Sequence, residues 1–573
     1  MNNSIILNDC IEEYKKINEL TLKDDDIFEL FSLGLITSNY ELTYEDIENT
    51  IVDGGLDGGI DSIIFLVDDF IVNSEEQIDE INMNNQTIVS ILISQVKASN
   101  TFKEAVLDKL FFSMSTILDL ETTEEKLYER FNSDLIEKIN MFRKLWRKSV
   151  TKRTKIIIDF YYICKAENIS ESNSFLNKVE SIKKSVLNSI QNSTVNYKSF
   201  SSKELLDIYN KPKSTEFELE CKENPLSVSF EDDQLGYIAV SKLNDFYKFL
   251  INEEGIVNEN IFESNIRHYQ GEVDVNKKIK ESLETDFKRD FWWLNNGVTI
   301  IASSVGQIGK KLSLKDVQIV NGLQTSYTIG KYYKPEENTN ENRSILLKII
   351  INKDQETIDK IISATNQQNY VSPILLRATE ETQRKIELYF SNKGYYYDRR
   401  KNFYKNQGKP VSKIFGIQST AQAIQTIMNF EPDTARSKPT TLIKSDESYN
   451  KIFDENIDFQ IYLNCCLIHR NVSDYIKNNL IKEDKSLAKA YSFQISRILT
   501  SFILNKGQYP KNIIKNINVE NIDDNIKNEA FQFLKQAIEE FKISSTTTSD
   551  SSISKSGKFR EFLNNKLNIK FTS

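Results

Sequence analysis

The chain has 573 residues, 39% of them hydrophobic and 27% charged, with a formal net charge of −10. This length predicts about three or four domains with ordinary cores, and the acidic balance excludes a chain coated throughout in phosphate-binding cations while leaving room for local basic surfaces. Five cysteines with no C-x-x-C pair, and only two histidines (His268 and His469), exclude a zinc site, a disulfide framework and histidine-cluster catalysis.

The N-terminus has no basic region followed by an apolar core, and no apolar run reaches the length of a membrane span, so a soluble cytoplasmic protein without a membrane partner is expected. Residues 1–50 carry helical apolar spacing. They lead into D-G-G-L-D-G-G-I-D (53–61) and a strand over 60–67. A polar connector precedes a second strand, T-I-V-S-I-L-I-S-Q-V-K (87–97). Amphipathic helix follows from about 101 to 148, then the β run K-I-I-I-D-F-Y-Y-I-C, a helix near 173–190 and a strand at N-Y-K-S-F. The pattern divides the chain into a mixed α/β domain over 1–210, an α+β region over 211–450 and a mostly helical region over 451–573. The Ser/Thr-rich segment 544–557 reads as a flexible surface loop.

Gln95 and Lys97 lie two residues apart, so both side chains leave one face of the sheet, and Asp61 opens the neighbouring strand. A carboxylate, an amide carbonyl and an ammonium around one point suit phosphodiester hydrolysis. The two oxygens can hold a hard divalent cation, and the lysine can orient water or offset developing charge. The order D-G-G-I-D followed by Q-V-K resembles the PD-(D/E)XK nuclease superfamily in its Mrr-like form. That resemblance implies a restriction-endonuclease-like fold with Asp61 and Gln95 as metal ligands, Lys97 as catalytic lysine, and Mg²⁺ or Mn²⁺ as cofactor. It also implies a glutamate on the preceding helix, for which Glu29 is the candidate ahead of Glu45 and Glu48, with Asp57 assisting at the turn.

Four strings rich in amides follow: I-F-E-S-N-I-R-H-Y-Q-G, F-W-W-L-N-N-G-V-T-I-I-A, V-Q-I-V-N-G-L-Q-T-S-Y-T-I and I-I-S-A-T-N-Q-Q-N. Asn and Gln beside glycine at strand ends suit hydrogen bonding to bases, sugars or backbone, although Asn-Gly pairs also mark turns and Trp292 and Trp293 also suit a core. With the glycine-rich opening, these strings resemble the AIPR (abortive infection phage resistance) family. Their order is also similar to that of D-G-Q-H-R-motif proteins, whose D and HR are absent here. Asn265, Arg267, Asn295, Asn296, Asn321, Gln324, Thr325, Asn366 and Gln367 are expected to line one polar pocket, with Arg267 as the phosphate partner.

Two basic stretches, 142–155 and 395–413, are candidates for nucleic acid. In the second, Arg399, Arg400, Lys401, Tyr404 and Lys405 interleave cations with rings. The combined expectation is a metal-dependent endonuclease of anti-phage defence. DNA stands ahead of RNA as substrate, the central region senses a nucleotide or phage-derived trigger, and a homodimer is allowed. The alternatives are an inactive nucleic-acid- or nucleotide-binding defence protein and a nucleotide hydrolase centred on Asn321 and Arg267.

Overall fold

The computed structural model describes residues 2–572 except 41, 53, 69, 86, 102–103, 170–171, 211–215, 231–233, 253–254, 256, 263–273, 286–287, 338–341, 367–376, 379, 521 and 546–548. The chain forms two compact units. One joins Met1–Asn210 to Glu380–Ser573, and the other is Lys211–Thr379. The sequence reading divides at 210 and 450; the packing divides at 210 and 379 and returns the chain to the first unit.

In the first unit, helices α1 (Asn2–Ile17), α2 (Asp24–Ile36) and α3 (Tyr44–Thr50) precede strands β1 (Ser62–Val67) and β2 (Phe70–Ile71). Helix α4 (Glu75–Glu80), strand β3 (Ile88–Lys97) and helices α5 (Ala105–Leu118), α6 (Glu124–Tyr128) and α7 (Ser133–Lys152) follow. Strand β4 (Lys155–Cys164), helix α8 (Asn173–Ser189), strand β5 (Ser193–Phe200) and helix α9 (Ser202–Tyr209) come next. The five-stranded sheet has the order β2-β1-β3-β4-β5, with β1 antiparallel to β2 and β3, and β3, β4 and β5 parallel. The near-continuous apolar run of β3 is what a central strand covered on both faces requires.

Side chains alternate cleanly. Ile63, Phe65, Ile91 and Ile93 meet Leu110 and Met114 of α5 and Phe142 of α7, whereas Ile64, Leu66, Leu92 and Val96 meet Ile27, Phe28 and Phe31 of α2. The connector between the strands is more ordered than its polarity suggests, since β2 and α4 lie within it and Ile78 is fully buried.

The second unit holds β6 (Glu216–Glu220), β7 (Leu226–Phe230), β8 (Gln234–Lys242), α10 (Leu243–Leu250), α11 (Asp274–Thr285), β9 (Val298–Ala302), β10 (Ser304–Ile308) and β11 (Lys311–Lys315). It continues with β12 (Gln318–Asn321), α12 (Leu323–Tyr332), β13 (Ser344–Ile351) and α13 (Gln355–Asn366). A five-stranded sheet of order β12-β9-β13-β8-β7 is accompanied by a three-stranded one of order β10-β11-β6.

Residues 380–573 are mainly helical, with one small parallel pair, β14 (Tyr396–Asp398) and β15 (Ile414–Gly416). The Ser/Thr-rich segment is not all loop: 550–554 form a helical turn in which Ile553 and Ser554 are fully buried. No helix among the described residues is long and apolar enough to cross a membrane.

The interior of the helical part encloses Arg497, 0% exposed. Its guanidinium lies 4.3 Å from the Phe430 ring centre and 5.2 Å from that of Tyr509, and it donates to Gly507 O at 2.5 Å and to Ser501 Oγ. Aromatic faces and neutral oxygens thus solvate a buried cation. Arg497→Ala is expected to cost about 3 kcal/mol or more in urea unfolding. Arg497→Met should lose less, because an apolar side chain of similar bulk needs no hydrogen-bond partners.

Candidate functional site

The glycine turn sets up the first constellation. Gly58 sits at φ 63°, and a Cβ there would lie 2.7 Å from Ser113 Oγ and 2.8 Å from the Phe131 ring. Only glycine fits both the left-handed backbone and the contact. The turn closes through Ile60 N–H to Asp57 O (2.9 Å), and Asp61 then enters the sheet with its N–H on Ser94 O (2.9 Å).

The paired ladder of β1 and β3 ends at Ser62 and Ser94. The Asp61 carboxylate accepts the Val96 N–H at 2.8 Å, and the Lys97 ammonium donates to it at 2.9 and 3.4 Å. Burial pushes the Asp61 carboxyl above its ordinary range, while Lys97 and the Val96 N–H pull it back. Gln95 is only 5% exposed, and its Oε1 has no hydrogen-bond partner among the described residues. A buried carbonyl without a partner is costly unless something else satisfies it.

A carboxylate and an amide carbonyl are the donor types that a hard divalent cation takes. Among the described residues no three His, Cys, Asp or Glu side chains could hold a metal by themselves, so the protein would supply Asp61 and Gln95 and leave the other positions to water and phosphate. Mg²⁺ accepts such an arrangement.

The sequence reading did not include Lys109 of α5. Its ammonium lies 2.6 Å from Asp57 Oδ1, and the same oxygen accepts the Gly59 N–H at 2.7 Å. Burial raises the Asp57 carboxyl, but Lys109 and Gly59 outweigh it and hold the group below its ordinary value. Asp57 therefore braces the turn and ties it to α5. Glu29 lies on α2, whose Ile27, Phe28 and Phe31 pack with Ile64, Leu66, Leu92 and Val96. Glu45 and Glu48 on α3 face Arg470 and Lys477. Asp53 lies outside the described residues.

The amide strings come together in part. Thr325 Oγ1 donates to Asn295 Oδ1 at 3.2 Å, and the Asn321 amide donates to Thr365 O. Gln324 is half-buried and Asn296 exposed. Asn366 ends α13, with its side chain outside the described set, and Asn265, Arg267 and Gln367 lie outside the described residues. The V-N-G string has a packing role: Gly322 at φ 87° caps α12, and a Cβ there would lie 2.9 Å from Gly297 O and 2.8 Å from Val298 Cγ2. Trp292 and Trp293, which suited a core from sequence, are exposed.

Several cations of the basic stretches are engaged within the first unit, while Arg147, Lys152, Arg153 and Lys155 are exposed. Arg143 donates to the carbonyls of Thr116, Ile117 and Asp119 at the end of α5, and Lys148 to those of Ile78, Asp79 and Ile81 at the end of α4. Both act as helix C-caps. Arg399 is buried against Glu387 at 2.6 Å, and Tyr404 OH donates to Glu387 at 3.0 Å. Lys401 pairs with Asp46 at 3.2 Å, and Lys405 donates to Leu42 O at 3.3 Å. Burial holds the half-buried Arg400 guanidinium down at about 10. Arg399, Lys401, Tyr404 and Lys405 thus tie 395–413 into the fold, with Lys401 still exposed.

Residues 262–546 match the AIPR protein family. No curated protein and no solved structure matches the chain significantly. The family region begins inside the second unit and runs through most of the helical part of the first.

Proposed function

From the AIPR-family region at 262–546, we propose that the protein is an anti-phage defence nuclease that hydrolyses phosphodiester bonds at Asp61, Gln95 and Lys97, with DNA ahead of RNA as substrate. What supports the reading is the Lys97 ammonium 2.9 Å from the Asp61 carboxylate, together with Gln95, two residues before Lys97 on the same strand, whose buried carbonyl has no partner among the described residues. Asp61 and Gln95 would hold Mg²⁺ or Mn²⁺. The metal, when bound, would polarise a phosphoryl oxygen and acidify a water.

The chain's own residues do the rest. Lys97 neutralises charge on Asp61 before substrate arrives. In the transition state the Lys97 ammonium would offset the negative charge that grows on the phosphate oxygens. The Val96 N–H keeps Asp61 oriented throughout.

Incubating the purified protein with DNA and RNA, with and without Mg²⁺ or Mn²⁺, tests the reading. Metal-dependent cleavage that disappears in Asp61→Ala and Lys97→Ala, both still folded, is the expected result. Phage protection that survives both substitutions would sink it and leave the binding-protein alternative.

A further inference from the structure

Two adjacent tryptophans on a surface are an expense that folding alone does not explain, because each could bury a large apolar area. Trp292 is 39% exposed, Trp293 64% and Leu294 50%. The turn that displays them is firmly held. Phe291 is buried in the core of the second unit. The Asp290 carboxylate accepts the Ser344 N–H at 2.6 Å and the Ser344 hydroxyl at 2.7 Å, at the start of β13. Trp293 N–H closes the turn on Asp290 O at 3.1 Å.

The indoles meet edge-to-face, with centroids 6.4 Å apart and planes 74° apart, so they do not stack on one another. Lys288 and Arg289 are exposed immediately before them, and the exposed Asn296 follows. Lys222, 3.8 Å from Asp290, offsets the one carboxylate in the turn.

We propose that Trp292 and Trp293, with Lys288 and Arg289, form a stacking surface for single-stranded nucleic acid. Every base offers a π face to an indole, the cations match the strand's phosphates, and the amide can bond base or sugar edges. A double helix, whose bases are already stacked on one another, would not use the rings. The inference stands whether or not the Asp61 site cuts.

The chain's own fluorescence supplies the test, since its third tryptophan, Trp146, is buried in the other unit's core. Oligo(dT) and oligo(rU), titrated with EDTA present to prevent cleavage, should quench the emission at low salt and lose affinity as salt rises. Trp292→Ala/Trp293→Ala should weaken binding, read by oligonucleotide anisotropy, at least tenfold, with an unchanged melting temperature. Lys288→Ala should flatten the salt dependence, and Trp293→Phe should retain part of the binding. Absence of quenching by either strand, or unchanged binding in the double variant, would overturn the proposal. So would self-association that the double variant abolishes without any quenching, because the rings would then serve contact between copies.

Discussion

Lys97→Met is expected to abolish cleavage while raising the pH at which the protein takes up Mn²⁺. Asp61 already sits above the ordinary carboxylate range because it is buried, and Lys97 is the strongest influence opposing that rise. Removing the ammonium leaves a buried carboxyl with only the Val96 N–H to favour its charged form, so its pKa climbs further. A group whose folded pKa is raised stays protonated over a wider acidic range. Metal uptake, which needs the carboxylate, is therefore lost as pH falls through that raised value. In the wild type this loss should come at a higher pH than for an ordinary aspartate, and in Lys97→Met higher still. At alkaline pH the variant should bind Mn²⁺ at least as well as the wild type, because a competing cation is gone, yet still fail to cleave.

Asp61→Asn should lose both binding and cleavage at every pH. Titration of Mn²⁺ across pH, by calorimetry or electron paramagnetic resonance, separates these outcomes without relying on turnover. On the magnitudes known for removal of a single charge-stabilising group, cleavage in either variant should fall by about 10²- to 10³-fold or more. An unchanged uptake midpoint in Lys97→Met would mean that the ammonium does not control the carboxylate.

How much of this was legible in the sequence follows the range of the interactions. Asp61, Gln95 and Lys97 could be read because a strand's two-residue period and a glycine turn are local signals, and the residues opposite one another follow from them. The crossover helices after β3 and the helix before β5 could be read in the same way. The roles of Arg143 and Lys148 could not be, since a cation that caps a helix packed from elsewhere looks the same in sequence as one facing solvent. The ion pairs of Arg399 and Lys401 could not be read for that reason: their partners, Glu387 and Asp46, lie 12 and 355 residues away. Trp292 and Trp293 misled for a different reason. Hydrophobicity places an indole inside, and only the packing of Phe291 beneath them shows which ring of the three is the anchor. The return of 380–573 to the first unit leaves no periodic trace at all.

That return has the largest consequence for folding: residues 1–210 alone are expected not to form a cooperative domain. Among the described residues, ion pairs that join the two parts of the first unit, including Lys413–Glu19, Lys444–Glu80, Arg436–Glu137, Arg470–Glu45, Lys477–Glu48, Lys489–Asp134 and Lys555–Glu75, take the cation from the C-terminal part. Exposed pairs of this kind are worth about 0–1 kcal/mol each. The buried ones weigh more, since stripping the partner from a buried charge costs about 3–5 kcal/mol. Glu137 shows the scale: burial pushes its carboxyl up, yet Arg436 and Lys555 hold it well below the ordinary range.

The glycine turn is part of the same seam. The helix 482–490 lies so close that a Cβ on Gly54 would meet Lys482 O at 3.0 Å, and Lys489 donates to Ile51 O, next to the Val52 N–H that bonds Asp61 O at 2.7 Å. The fragment should therefore show no cooperative melt and no metal uptake, whereas the full chain is expected to show both. Lys489→Met in the full chain is the gentler probe. It should leave the far-ultraviolet circular dichroism intact and lower metal-dependent cleavage through the turn that presents Asp61. A fragment 1–210 that melts cooperatively and takes up Mn²⁺ would show that the sheet needs no C-terminal support, and the helices of 380–573 would then have to act on the site by some means other than holding it together.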